Sequence, residues 1–342
     1  MLINTRVLHA PVTGVQRFIL EVLKAWPGAK PSIIAPPDYV ARGALGHAWE
    51  QFVLPVQTGG ELLWSPVHSG PLRYANQVVT VHDAVPMDHP EWLNRNFARW
   101  YRFMLPRLIH SARHVISVSE FNKRRILESV DVAETKITVI PNGVSDSFNP
   151  DQAAKQSSMR QALSIPEGRY VLTVSSLEPR KNLASVLTAW KRALPLLPDD
   201  FHLLVVGAAN LRVFASGGPS DQPDRVLHLG HLDGENLEIL YAAAECFVYL
   251  SLYEGFGLPP LEAMASGTPV IVSDIEVMNE VVGDSGLKVK PLDITEIAKA
   301  IHLLSHDAEL RSQLAASGLQ QASQFSWRKT AEQTQELLTQ FE

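Results

Sequence analysis

Cysteine is nearly absent from the chain. Cys246 is the only one among 342 residues. That excludes an internal disulfide, and a lone thiol in an apolar stretch fits a reducing compartment. No stretch reaches the roughly 18 consecutive apolar residues of a membrane-spanning helix, so none is expected. The opening residues, MLINTRVLHAPVTG, meet a proline at position 11 and hold no signal-peptide core. Short internal repeats and low-complexity segments are missing as well. Positive charge is in deficit, with 30 Lys and Arg against 36 Asp and Glu for a net charge of −6. The protein as a whole is therefore not expected to bind nucleic acid. What remains is ample apolar material, 46% of the chain, enough for two ordinary domains in a cytoplasmic protein.

The most informative stretch is CFVYLSLYEGFGLPPLEAMASGTPVIVSD, residues 246–274. Cys246–Leu252 has the apolar and aromatic character of a buried parallel strand. Glu254-Gly255-Phe256-Gly257 reads as a loop. Pro259 and Pro260 suit the first turn of a helix, where a missing N–H costs nothing. Gly267 ends that helix, and Thr268–Ser273 is the next strand. The amides around Gly257 and Leu258 then lie at a helix N-terminus, which attracts an anion such as phosphate. Glu254 and Glu262 flank the same place. Carboxylates repel phosphate, so they must face another part of the ligand, and sugar hydroxyls are the natural candidate. Phosphate and sugar together point to a nucleotide sugar.

The rest of the chain alternates strand and helix. In the first half, strands are expected at Leu2–Leu8, Ser32–Ala35, Phe52–Val56, Leu62–Ser65, Gln77–Val81, Arg113–Ser119 and Lys136–Ile140. Thr13 caps a helix over Gly14–Trp26, and Gly14 occupies the βα turn at the mouth of a Rossmann-like sheet. His82 and Asp83 follow the Gln77–Val81 strand, where open α/β sheets bind ligands. A helix is expected over Asn94–Ser111. Residues 94–125 carry eight Lys and Arg against the single acid Glu120, a basic patch suited to an anionic membrane face or to an ordinary solvated helix. Asp146–Ser158 is polar without periodicity, which puts a domain boundary near residues 143–165. In the second half, Tyr170–Ser176 is a strand, and Arg180 and Lys181 in the loop after it form a candidate phosphate clamp. Further strands are expected at Phe201–Val206, Val226–Leu229 and Leu287–Val289. Helices are expected at Asn236–Ala244, Glu276–Val282, Ile294–Leu304 and Ala308–Phe325, with Ser326 capping a last one. The fold class is α/β, two doubly wound Rossmann-like domains. The domains run over residues 1–150, with 326–342 packing back, and over 151–325.

At these residues the chain resembles the retaining GT-B glycosyltransferases of family 4. The most specific element is Glu254-x7-Glu262 within EGFGLPPLEAMASGTPVIVSD. SLEPRKN at 176–182, IPNGV at 140–144, VHD at 81–83 and TGVQRF at 13–18 support it. The wording of the last and first of these is similar to bacterial O-antigen and exopolysaccharide transferases, many of them mannosyltransferases. The resemblance implies two domains facing across a cleft, the first binding the acceptor and the second the donor. It implies Arg180 and Lys181 on the donor diphosphate, Glu254 on sugar hydroxyls and Glu262 on the ribose. It places the amides of Phe256, Gly257 and Leu258 on sugar or phosphate, Gly14 near the diphosphate and His82 near the reacting centre. It implies retention by front-side attack and no metal or other cofactor, in keeping with the lack of any Asp-x-Asp. The expected partners are a nucleotide sugar, with GDP-mannose the best guess, and a glycan or polyprenyl-diphosphate-linked acceptor. The expected location is the cytoplasm, with peripheral contact at the inner face of the plasma membrane through 94–125. The alternatives are a UDP-sugar donor or a non-catalytic sugar-nucleotide binder. A glycosidase using the two glutamates is disfavoured by the Arg–Lys pair. A dinucleotide oxidoreductase is disfavoured because no Gly-x-Gly-x-x-Gly follows the first strand of either half.

Overall fold

The computed structural model describes residues 1–10, 13–176, 178–207, 223–232 and 234–342. Pro11 of the opening segment and Leu177 of the SLEPRKN segment lie outside the described residues. The chain divides into two compact units, residues 1–143 with 325–342, and residues 144–324.

In the first unit the order is β1 (Leu2–Asn4), α1 (Gly14–Lys24), β2 (Ser32–Ile34), α2 (Gly43–Phe52), α3 (Leu54–Gln57), β3 (Leu63–Ser65), β4 (Gln77–Val81), α4 (Val85–Asp88), α5 (Arg95–Ser111), β5 (His114–Ser117), α6 (Glu120–Ser129) and β6 (Ile137–Val139). The strands form one parallel sheet in the order β2-β1-β3-β4-β5-β6. β4 and β5 are buried at every residue, as strands covered on both faces must be. Leu105, Leu108 and Ile109 of α5 pack with Val79, Val81 and Val115 beneath them. Caps fix the helix starts. Thr13 and Gln16 form a reciprocal capping box on α1, and the Ser119 hydroxyl accepts from the amide of Asn122 at the start of α6.

The second unit runs α7 (Gln156–Leu163), β7 (Arg169–Val174), α8 (Leu183–Ala193), β8 (Phe201–Val206), β9 (Val226–Gly230), α9 (Gly234–Ala242), β10 (Cys246–Tyr249), α10 (Leu258–Ala265), β11 (Val270–Ser273), α11 (Glu276–Val281), β12 (Leu287–Val289), α12 (Ile294–His306) and α13 (Ala308–Ala322). Its parallel sheet has the order β12-β11-β10-β7-β8-β9. That is the doubly wound arrangement, with the direction of strand addition reversing between β7 and β10. Trp190 of α8 and Ile297 and Ile301 of α12 cover one face over Val171, Leu203 and Val248.

The final helix, α14 (Trp327–Thr339), belongs to the first unit. Ser326 caps it by accepting from the amide of Lys329. The Gln335 side chain donates to the Pro27 carbonyl, and the Trp327 ring meets Phe18 edge-on at 6.0 Å. Where the chain leaves this unit, Gly143 lies so close to the Trp327 backbone that any β-carbon would overlap it.

Three sequence expectations are corrected. Phe52–Val56 is not a strand but the end of α2 and most of α3. Pro55 starts the short helix, and Phe52 (76% exposed) and Val56 (79%) face outward, which a buried strand does not allow. Leu2–Leu8 is a strand only as far as Asn4, because Arg6–His9 form a 3₁₀ turn. Residues 146–158 are not irregular throughout. The Asn149 side chain caps a 3₁₀ helix at Pro150–Lys155, which runs into α7 and stops at left-handed Ser164 (φ 54°).

Candidate functional site

In an open doubly wound sheet the loops at the carboxyl ends of the two strands flanking the reversal diverge and leave room for a ligand. Here those strands are β7 and β10. The loop after β7 holds Arg180 and Lys181 in a 3₁₀ turn that Pro179 begins. The loop after β10 holds Glu254. The two loops are stitched together. Leu252 donates its amide to the Arg180 carbonyl at 2.7 Å. Asn182, left-handed at φ 54°, donates its side-chain amide to the carbonyls of Leu250 (3.0 Å) and Pro291 (2.7 Å).

The charged groups meet between these loops. Lys181 Nζ donates to Glu254 Oε1 at 2.6 Å, and Arg180 Nη1 donates to Glu254 Oε2 at 3.0 Å. Arg180 Nε also donates to Glu178 at 2.6 Å. Tyr249, the last residue of β10, joins the pair. Its hydroxyl donates to Glu254 Oε1 at 2.7 Å and accepts from Lys181 Nζ at 2.7 Å. Glu254 is buried, which alone would push its carboxyl up. The charges of Lys181 and Arg180 outweigh burial and hold it down at about 2. Lys181 responds in kind: burial opposes its charge, but Glu254 raises its pKa overall. Burial, with the Glu254 charge beside it, pushes the Tyr249 phenol up to about 12, so it stays a donor. At neutral pH the cluster therefore holds two cations, the carboxylates of Glu254 and Glu178, and a neutral hydroxyl.

Four residues after Glu254 the chain enters α10. Gly257 is its N-cap at φ 111°, a conformation disfavoured for any side chain. A β-carbon there would also lie 2.8 Å from Met278 Cε. Phe256 is buried, and Leu258 is the first residue of α10. Glu262 is buried on α10 a turn further along. Arg180, Lys181, Glu254, Phe256, Gly257, Leu258 and Glu262 thus all sit on the β7 and β10 loops or on α10. Gly14 and His82 belong to the other unit. Gly14 is the first residue of α1, and His82 directly follows β4. Burial drives the His82 pKa down to about 4, so the ring is neutral. Its Nε2 lies 2.8 Å from the Pro66 carbonyl, which only accepts, so the proton sits on Nε2 and Nδ1 carries the lone pair.

Tyr249 and Asn182 were not singled out from the sequence as site residues. A phenol closing an otherwise apolar strand was the available sign for Tyr249. Asn182 stands beside Arg180-Lys181, but its left-handed backbone is visible only in the folded chain.

Two parallel-sheet α/β units of this kind define the GT-B class of fold. Solved structures agree over 99% of the chain. They include HepE of Anabaena in complex with UDP and glucose (TM-score 0.76, 21% identity, 98% of that chain covered). They also include WaaG, a glycosyltransferase involved in lipopolysaccharide biosynthesis (TM-score 0.75, 16% identity, 100% covered). The glycosyl transferases group 1 model matches residues 155–321, and the glycosyltransferase family 4 model matches residues 53–148. O-antigen chain mannosyltransferase B of Escherichia coli is 32% identical over 271 residues, which are 77% of this chain and 70% of that protein. O-antigen chain mannosyltransferase RfbU of Salmonella typhimurium is 34% identical over 236 residues, 68% of this chain and 62% of that protein. The chain belongs to the family 4, group 1 glycosyltransferases.

Proposed function

We propose that this glycosyltransferase moves a hexose, with mannose from GDP-mannose the leading candidate, onto a glycan or polyprenyl-diphosphate-linked glycan in cell-surface polysaccharide synthesis. The observation that carries the reading is the Arg180–Lys181–Glu254–Tyr249 cluster at the strand-order reversal, directly before the N-terminus of α10. The mannosyltransferase names of the relatives favour the sugar. In this reading the donor diphosphate lies against Lys181, Arg180 and the amides of Gly257 and Leu258, and Phe256 contributes its amide beside them. Glu254 takes sugar hydroxyls and Glu262 takes the ribose. The family resemblance extends the proposal to His82 and Gly14.

As the glycosidic C–O bond breaks, charge grows on the leaving diphosphate, where two fixed cations stabilise it without reorganisation. The acceptor oxygen forms its bond to the anomeric carbon on the same face, and the leaving phosphate oxygen takes the acceptor proton. The configuration is retained. The cations serve in place of a divalent ion, so EDTA should leave the transfer rate unchanged; strict dependence on added Mg²⁺ or Mn²⁺ would refute this part. A peripheral contact of residues 94–125 with anionic lipid belongs to the same reading.

The second reading is a UDP-sugar donor. It is favoured by the solved HepE complexes with UDP and with UDP-glucose. A thermal-shift panel of GDP-mannose, UDP-glucose and their nucleotides separates the two, since only the true donor and its nucleotide should raise the melting temperature strongly. Turnover of that donor with a glycan acceptor separates an enzyme from a non-catalytic binder. No shift with any nucleotide sugar would overturn the proposal.

A further inference from the structure

The first unit carries a second polar constellation, at the carboxyl ends of its own strands. His68 follows β3 by three residues, Asp83 follows β4 by two, and Tyr101 faces them from α5. The His68 ring meets the Tyr101 ring edge-on at 5.4 Å and the His82 ring at 6.4 Å. Asp83 is close enough to act electrostatically on His68, His82 and Tyr101 alike.

These groups have hydrogen-bonding capacity that the described residues do not use. His68 makes no hydrogen bond among them, and its Nδ1 is buried without a partner. Asp83 Oδ1 accepts from the Val85 amide at 3.1 Å, while Oδ2 has no partner among the described residues. The Tyr101 hydroxyl is likewise unpartnered among them, although the residue is only 7% exposed. A buried polar atom left unpaired is costly, so the orphaned His68 Nδ1 implies something that bonds to it, and Asp83 Oδ2 and the Tyr101 hydroxyl offer bonding capacity beside it. The rings are also held in place: Phe97 stacks on Tyr101 at 4.2 Å, and Phe18 meets His82 edge-on at 4.7 Å.

We propose that His68, Asp83 and Tyr101 form a carbohydrate-hydroxyl subsite that binds and orients the acceptor sugar. The chemistry selects that class. Burial keeps the imidazole of His68 neutral and the Tyr101 phenol protonated. Among the three, the one formal charge is then the carboxylate of Asp83, which repels phosphate; the Arg6 and Glu50 charges that also act on Tyr101 are paired with each other at 3.0 Å. A neutral imidazole both donates and accepts, a phenol does the same, and Asp83 Oδ2 accepts. Adjacent sugar hydroxyls, each a donor and an acceptor, match that set. The inference rests on the transferase reading and adds to it the residues that recognise the acceptor.

The test uses the full chain with whichever of GDP-mannose and UDP-glucose the thermal-shift panel identifies as donor, and a mannose disaccharide as acceptor probe. Donor Kd by calorimetry and acceptor KM are measured for the wild type, His68→Ala, His68→Asn and Asp83→Asn. Asp83→Asn keeps an oxygen for the Val85 amide, so it retains that turn. Losing one such hydrogen bond should raise the acceptor KM about tenfold or more, with donor Kd holding within about twofold. His68→Asn, which still donates and accepts, should recover part of the loss. Unchanged acceptor KM in His68→Ala and Asp83→Asn overturns the subsite. So does a parallel loss of donor affinity, or a fall in melting temperature without any change in acceptor KM. Failure of the wild type to bind any nucleotide sugar would remove the transferase reading itself, and the calorimetry reports that separately.

Discussion

Lys181 has three ammonium protons, and two of them are committed, one to Glu254 Oε1 and one to the Tyr249 hydroxyl. The third is left for an anion, and the two committed bonds fix its direction. In the proposed mechanism, removing the cation by Lys181→Ala deletes stabilisation of the leaving group, and it leaves Glu254 with one fewer counter-charge. A loss of about 10²–10³-fold in kcat is expected, the scale for a lost donor to developing charge. Glu254→Ala should be comparably damaging, while Glu262→Ala should raise the donor Kd more than it lowers kcat. Near-normal transfer by both Lys181→Ala and Glu254→Ala would disprove the site. Tyr249→Phe is the finer probe, because it keeps the ring and removes only the oxygen shared by Lys181 and Glu254. About 1.5–3 kcal/mol for a hydrogen bond to a charged group corresponds to roughly a 10–100-fold loss in kcat/KM. Steady-state kinetics on a folded Tyr249→Phe protein checks it, and wild-type values would reduce Tyr249 to packing. That residue also marks a limit of reading from sequence. Arg180, Lys181 and Glu254 stand out because charged side chains in loops after buried strands need a reason. A tyrosine in a strand needs none until its hydroxyl is seen between two ions.

At the scale of elements, strands such as Gln77–Val81, Phe201–Val206 and Leu287–Val289 were legible to the residue, because short, mostly apolar runs bounded by polar or turn residues have few other solutions. Phe52–Val56 misled because, Leu54 apart, its apolar residues Phe52, Val53 and Val56 are exposed. Their exposure is decided by what packs nearby, which no local pattern records. The His68, Asp83 and Tyr101 grouping was illegible for a related reason: it depends on β3 and β4 being neighbours and on the rotation of α5. The basic segment was visible in composition, but its meaning changes once partners are known. Arg125 is paired with Asp88 and Glu128, Lys123 with Glu134, and Arg113 bonds to Asn76 and the Phe341 carbonyl. Arg95, Arg99 and Arg102, spaced along one face of α5, are exposed and have no partner among the described residues, and Phe97 (44% exposed) and Phe103 (47%) stand beside them. The membrane proposal thus narrows to α5. Each arginine near an anionic surface contributes about 1 kcal/mol, so replacing all three by Gln should weaken binding to phosphatidylserine-containing vesicles on the order of 10²-fold. Co-sedimentation at low and physiological salt would measure it. Equal binding by wild type and variant, or no binding by either, would leave α5 an ordinary solvated helix.

At the scale of the whole chain, the two units have separate cores and different responses to pH. The first unit holds His82, whose pKa burial lowers from 6.5 to about 4, and His68, shifted in the same direction. A neutral buried histidine binds fewer protons folded than unfolded. Its stabilising effect is therefore complete above the unfolded value near 6.5, falls as pH drops from there to about 4, and is gone below. For His82 alone the full effect is on the order of 3 kcal/mol. In the second unit, the coupled Glu254 titrates much lower, so its contribution is lost only as pH falls from the ordinary 4.5 towards about 2. Between pH 6.5 and 4.5 the first unit should weaken through these groups, and the second through the half-buried His228, whose pKa burial also lowers, while the Arg180–Lys181–Glu254 cluster stays charged. The tryptophans allow this to be read by unit, since six of the seven (all but Trp190) lie in residues 1–143 and 325–342. Denaturant unfolding followed by tryptophan fluorescence should give a lower midpoint at pH 5 than at pH 7. His82→Gln, which cannot take up a proton in this range, should flatten most of that slope even if it lowers stability at pH 7. A saturating nucleotide sugar provides the converse mark. At about 100 times its Kd it adds some 2.7 kcal/mol, and since the proposed donor site uses charged groups of the second unit that gain should persist at pH 5. Hydrogen exchange should show it as protection of the segments around residues 178–183 and 249–262. An unaltered fluorescence midpoint between pH 7 and 5, or an equal slope in His82→Gln, would mean that His82 is not held neutral by the fold.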